Sequence, residues 1–164
     1  MSEPKAVTIY TRGIATPGGG AFGALLVCDG RCKELSGGET GASNNRMDLL
    51  AAVEALKALK RPCRVTLYNT NGYLIDGMSK GWAARWQEAG WVTGEGKPTA
   101  HAELWDALLE LCAVHEVEFV WLPAEGIDEY AQCHRLARQV IQEQVRRVVE
   151  SRAEPGTAPD RGGR

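Results

Sequence analysis

At 164 residues, with a formal net charge of -2 and a pI near 6.0, the chain has the size of one domain that buries its core without disulfides or metals. It also lacks the strongly basic balance of proteins that grip nucleic acid along a whole face, so any such contact is expected to be local. No apolar run approaches the roughly 20 residues of a membrane span, and Met1–Lys5 has no apolar signal segment, so the expected compartment is cytoplasmic. Cys28, Cys32, Cys63, Cys112 and Cys133 form an odd set without a CxxC pair, which argues against metal-finger spacing and for reduced thiols. Cys28 and Cys112 fall in apolar patterns and are core candidates.

Ala6 to Thr11 alternates Val7, Ile9 and Thr11 with Thr8 and Tyr10, the period of two of a strand, and then runs into Arg12-Gly13 and a glycine-rich turn reaching Gly23. A second strand, Gly23 to Cys28, pairs with it, and after the Asp29-Gly30 turn a third strand over Arg31 to Glu39 completes a meander. Gly41 to Asn45 offers helix-capping side chains, and Met47, Leu50, Val53, Leu56 and Leu59 then recur at helical spacing until Pro62. A helix over about Asn45 to Lys60 follows. Val65 to Tyr68 is a short strand, reached by a crossover and so parallel to the first. Short helices are expected within Asn69 to Gly77 and over Trp82 to Gln87, with a loop over Val92 to Lys97 and an amphipathic helix over Glu103 to His115. Val117 to Leu122 is a strand ending at Pro123, and a last helix spans about Tyr130 to Glu150. Ser151 to Arg164 is rich in Gly, Pro and charge, so residues 1–150 are expected to form the domain and 151–164 a disordered tail.

Three strands, helix, strand, helices, strand, helix is an α/β, layered α+β order around a mixed five-stranded sheet. That order, with Ser43-Asn44-Asn45-Arg46-Met47-Asp48, Tyr73, the Trp82/Trp86/Gly90/Trp91 pattern, Lys97-Pro98, Leu104-Trp105 and Cys133 with Leu136-Ala137, resembles the type 1 ribonuclease H family from about Val7 to Ala137. The resemblance implies the ribonuclease H-like fold, with helices on both faces of the sheet. It also implies a family activity, cleavage of the RNA strand of an RNA–DNA hybrid, by two magnesium ions held among four acidic residues.

On that resemblance the four acids align with Arg12, Asp48, Thr70 and His134, of which only Asp48 is acidic. Hard cations need clustered carboxylates, and a guanidinium stays protonated and repels them. The expectation is therefore a degenerate site with no metal or cofactor, and a catalytically inactive member serving as a nucleic-acid-binding or scaffolding module. The alternatives are a divergent ribonuclease H that cleaves hybrids and a protein-interaction subunit without a nucleic-acid role. Arg12 is expected to fill the metal site by pairing with Asp48. Glu125, Asp128 and Glu129 are open as replacement carboxylates or as a solvated acidic loop, and an Asp48–His134 pair is too small for a catalytic zinc site, which takes three protein ligands. Ser43, Asn44, Asn45, Trp82 and Arg85 are candidates for nucleic-acid contact. Asn44 and Asn45 serve equally well as helix caps, and Trp82, Trp86 and Trp91 read as a stacking platform or as core packing. No specific partner or oligomeric state follows from these residues.

Overall fold

The computed structural model describes residues 4–153. Five strands form one mixed sheet in the order β3-β2-β1-β4-β5. β1 (Lys5–Thr16), β2 (Gly19–Cys28) and β3 (Arg31–Gly38) make the expected antiparallel meander, while β4 (Cys63–Asn69) and β5 (Glu116–Trp121) lie parallel to β1 and to each other. The first hairpin is longer than expected. Gly13 to Gly20 is not a loop: Ile14 pairs with Ala21 and Thr16 with Gly19, so both strands run on to a tight turn at Pro17-Gly18.

α1 (Asn44–Lys57) packs on one face of the sheet and α5 (Asp128–Ala153) on the other. The buried positions of β1 (Val7, Ile9, Thr11, Gly13) face α1, and Ile9, Leu67, Leu49, Leu56 and Trp105 belong to the core built there. The cap of α1 is Ser43, whose hydroxyl accepts from the Arg46 N–H at 3.1 Å, rather than Asn44 or Asn45. Those two amides are thereby released for contacts elsewhere. α5 runs through Ser151 to Ala153, past the expected boundary at 150; the remainder of the expected disordered tail, 154–164, lies outside the described residues.

Two glycines set how closely the helices approach. A Cβ on Gly13 would sit 2.5 Å from the Asp48 N, and one on Gly23 would sit 2.1 Å from the Cys133 carbonyl oxygen, so α1 and α5 each rest on bare strand backbone. Cys133 and Cys63 are the buried cysteines, while Cys28 and Cys112 are only half-buried, contrary to the apolar pattern around them; all five thiols are free.

α2 (Gly72–Ser79), α3 (Trp82–Glu88) and α4 (Ala102–Val114) form a flank beside α1. Trp86 packs edge-on against the fully buried Trp105 at 5.3 Å, and Trp82 tilts against Trp86 at 6.4 Å. Arg46 ties this flank to α1, since its guanidinium donates to Glu39 at 2.7 Å and to Glu103 at 2.6 Å and lies 3.4 Å from His101. No helix among the described residues is long and apolar enough to cross a membrane.

Candidate active site

The strand ends, the start of α1 and the first turns of α5 bring Arg12, Asp48, Thr70 and His134 to one end of the sheet. Strand alternation then sorts them by face. Thr11 and Gly13 point toward α1, whereas Tyr10 and Arg12 point toward α5, where Tyr10 stacks on Tyr68 at 5.2 Å and meets Tyr130 edge-on at 5.9 Å.

On the α1 face Asp48 is 1% exposed and its carboxylate is enclosed by protein donors. Its Oδ1 accepts from the Gly13 N–H at 2.7 Å and the Asn69 amide at 3.2 Å, and its Oδ2 accepts from the Asn71 amide at 2.9 Å and the Asn44 amide at 3.0 Å. A carboxylate offers about four lone-pair directions, and all are taken. Burial raises the Asp48 carboxyl above its ordinary value, opposed by the amides of Asn71 and Asn69, by the Gly13 N–H and, last, by the charge of Arg12. Asn69 also donates to Thr11 Oγ1 at 2.8 Å, and its Oδ1 accepts from the Asn71 N–H at 2.7 Å. Asn69 and Asn71 flank Thr70 and are not among the residues expected at the site from the sequence.

The expected Arg12–Asp48 ion pair does not form. Among the described residues Arg12 has no hydrogen-bond or ion-pair partner, and the pairing fails because the two side chains approach the strand end from opposite faces. Arg12 acts instead on α5. Burial, then the guanidiniums of Arg12 and Arg138, hold the His134 imidazole below its ordinary value. Tyr130, His134 and Arg138 recur every four residues and so form one stripe along α5. The Tyr130 hydroxyl is buried without a hydrogen-bond partner among the described residues. A cleft of about 390 Å³ runs alongside, lined by Ile14, Ala15, Thr16, Asn44, His134, Arg138, Ile141 and Gln142. Thr70 is half-buried, and its carbonyl accepts from the Trp121 indole at 2.9 Å.

The donor set does not fit the two magnesium ions of the resemblance. Asp48 has no free oxygen direction, and among the described residues no three His, Cys, Asp or Glu side chains gather to hold an ion. That holds also for Glu125, Asp128 and Glu129. Of the other candidates, Ser43, Asn44 and Asn45 are exposed at the site end of α1, and Asn45 accepts from the Asn71 amide at 2.8 Å. Trp82 and Arg85 stand apart on α3, where Lys80 lies over the Trp82 ring at 5.6 Å.

The ribonuclease H family model matches residues 4–142. A ribonuclease H of Chlorobaculum parvum is 42% identical over 143 residues, covering 85% of this chain and 98% of that protein, and one of Moorella thermoacetica is 43% identical over 142 residues, covering 84% and 92%. Among solved structures, LC9-RNase H1, a type 1 ribonuclease H with the type 2 active-site motif, superposes with a TM-score of 0.71 at 23% identity, covering 88% of this chain and 75% of that one. LC11-RNase H1, solved in complex with an RNA/DNA hybrid, superposes with a TM-score of 0.63 at 21% identity, covering 84% and 97%. At such identities the structures speak for the fold. The sequence relatives correct the expectation of an inactive, scaffolding chain: they carry the name ribonuclease H across nearly their whole lengths, which favours the divergent-nuclease alternative. Matched over residues 4–142 and sharing more than two-fifths of its aligned residues with these relatives, the chain belongs to the ribonuclease H family.

Proposed function

We propose that the chain is a divergent ribonuclease H that acts on RNA–DNA hybrids and cleaves the RNA strand. The observation that carries this reading is the 42% identity to a named ribonuclease H along 85% of the chain. Hybrids are supported as the ligand by the likeness of the fold to a ribonuclease H solved with one bound. The free thiols agree with work in the cytoplasm. Nucleic acid would meet the exposed Ser43, Asn44 and Asn45 beside the site, with Trp82 and Arg85 on α3 as a second, separate patch.

The residues present do not fit the family's pair of ions, since Asp48 is the one carboxylate at the four aligned positions and its oxygens are already taken. What the chain itself offers a phosphodiester is hydrogen bonding and positive charge on the α5 face. The reading is tested with the full chain, hybrids labelled on either strand, and magnesium or manganese in turn. Cutting of the RNA strand alone, absent from RNA or DNA duplexes, is the expected result. A pure preparation that leaves the RNA strand intact under every one of these conditions would defeat it.

A further inference from the structure

At this strand end the positive charge is part of the chain itself. Arg12 projects onto the α5 face without a partner among the described residues, and Arg138 stands one turn beyond His134 on the same stripe, also without one. The charges acting on His134 come from these two guanidiniums. Beside Arg138 and His134 lies the 390 Å³ cleft, which reaches α1 at Asn44; one hydrogen of the Asn44 amide goes to Asp48, and the other is left as a neutral donor. Tyr130, at the inner end of the stripe, keeps a buried hydroxyl with no hydrogen-bond partner among the described residues. Asp48 offers these cations little competition, because its oxygens are already filled by Gly13, Asn44, Asn69 and Asn71. Glu129, at the start of α5, acts on Tyr10 and Cys133 rather than on His134.

We propose that Arg12, Arg138 and the cleft that Arg138 lines form an anion site that grips a backbone phosphate of the bound hybrid directly, with no divalent ion between protein and phosphate. A guanidinium suits this task, since its planar fork donates two parallel charge-assisted hydrogen bonds to phosphate oxygens. The inference rests on the hybrid being the ligand.

The experiment measures hybrid binding by fluorescence anisotropy with the full chain, in EDTA and in magnesium, each at a series of salt concentrations. The expected affinity is at least as high in EDTA as in magnesium. The double change Arg12→Ala with Arg138→Ala is expected to weaken binding about tenfold or more and to flatten the salt dependence by roughly one to two phosphate contacts, while the matching Lys pair retains most of the affinity. Thermal unfolding of each variant confirms that it is folded. Binding that collapses in EDTA, or an alanine pair that binds as the wild type does, would overturn the proposal. If the wild type binds no hybrid, the functional reading fails and the site is judged separately: inorganic phosphate added in EDTA should shift the NMR signals of His134 and the Arg12 and Arg138 side chains. Absence of those shifts would overturn the anion site as well.

Discussion

The two faces of the sheet end treat charge in opposite ways. Toward α1, one carboxylate is buried and met by amide and backbone donors from β1, α1 and the β4–α2 turn, so it works as a hub that fixes three elements to each other. Toward α5, the guanidiniums of Arg12 and Arg138 have no partner among the described residues, and Arg138 lines an open cleft. A position that aligns with a metal ligand can therefore become part of the architecture on one face while its neighbour turns outward for binding on the other. Alignment alone does not say which.

The contrast is broken most severely at its hub. Asp48→Ala strands the Gly13 N–H and three amides, and is expected to cost about 3 kcal/mol or more, read as a fall in the unfolding midpoint with urea. A carboxylate that merely waited for metal would be lost at no cost or with a gain. Next in size, Gly23→Ala drives a methyl into the Cys133 carbonyl and is expected to cost about 2 kcal/mol by the same measurement, with hybrid affinity falling as α5 shifts away from Arg12. A variant as stable as the wild type would show that α5 has room to lift.

The acid side of the stability curve sharpens the comparison further. Burial raises the Asp48 carboxyl, so the folded chain holds that proton more tightly than the unfolded chain does. On this group's account, stability is greatest at or below the unfolded value of about 4, falls as pH rises through the folded value, and is level above it. Urea midpoints of the wild type minus those of Asp48→Asn, taken across this window, should decline with pH. A difference that climbs instead would mean that the four hydrogen bonds outweigh burial. The smallest effect belongs to Arg12→Ala, which removes a partly exposed and unpartnered side chain and should change stability by no more than about 0.5 kcal/mol. A loss of several kcal/mol there would restore the ion pair with Asp48.

Much of the architecture was legible because it is written in short-range patterns. The alternation of Val7, Ile9 and Thr11 and the spacing of Met47, Leu50, Val53 and Leu56 gave β1 and α1, and the crossover logic gave the parallel β4. The hairpin beyond Gly13 was not legible, since glycine weakens any strand signal and is required there by helices that pack from elsewhere in the chain. At the site, the expectation that Arg12, Asp48, Thr70 and His134 share one place came from the family resemblance. The failure of Arg12 to reach Asp48 was also within reach of the sequence, because Thr11 and Gly13 share one face and Arg12 takes the other. The roles of Asn69 and Asn71 needed the coordinates, as an amide beside a strand end suits a turn as well as a carboxylate.

Arg46 fixes the spacing between the strand end and the flank of short helices. By binding Glu39 and Glu103 while rooted in the first turns of α1, it holds the start of α4 against the helix that carries Asn44 and Asn45, and α4 in turn carries α3 through Trp86 and Trp105. The patch at Trp82 and Arg85 is thus held at a set distance from the strand end, like the two points of a caliper. If the proposed hybrid touched both, its groove width and helical rise would have to match that opening, and such binding would select for helix form without reading a single base.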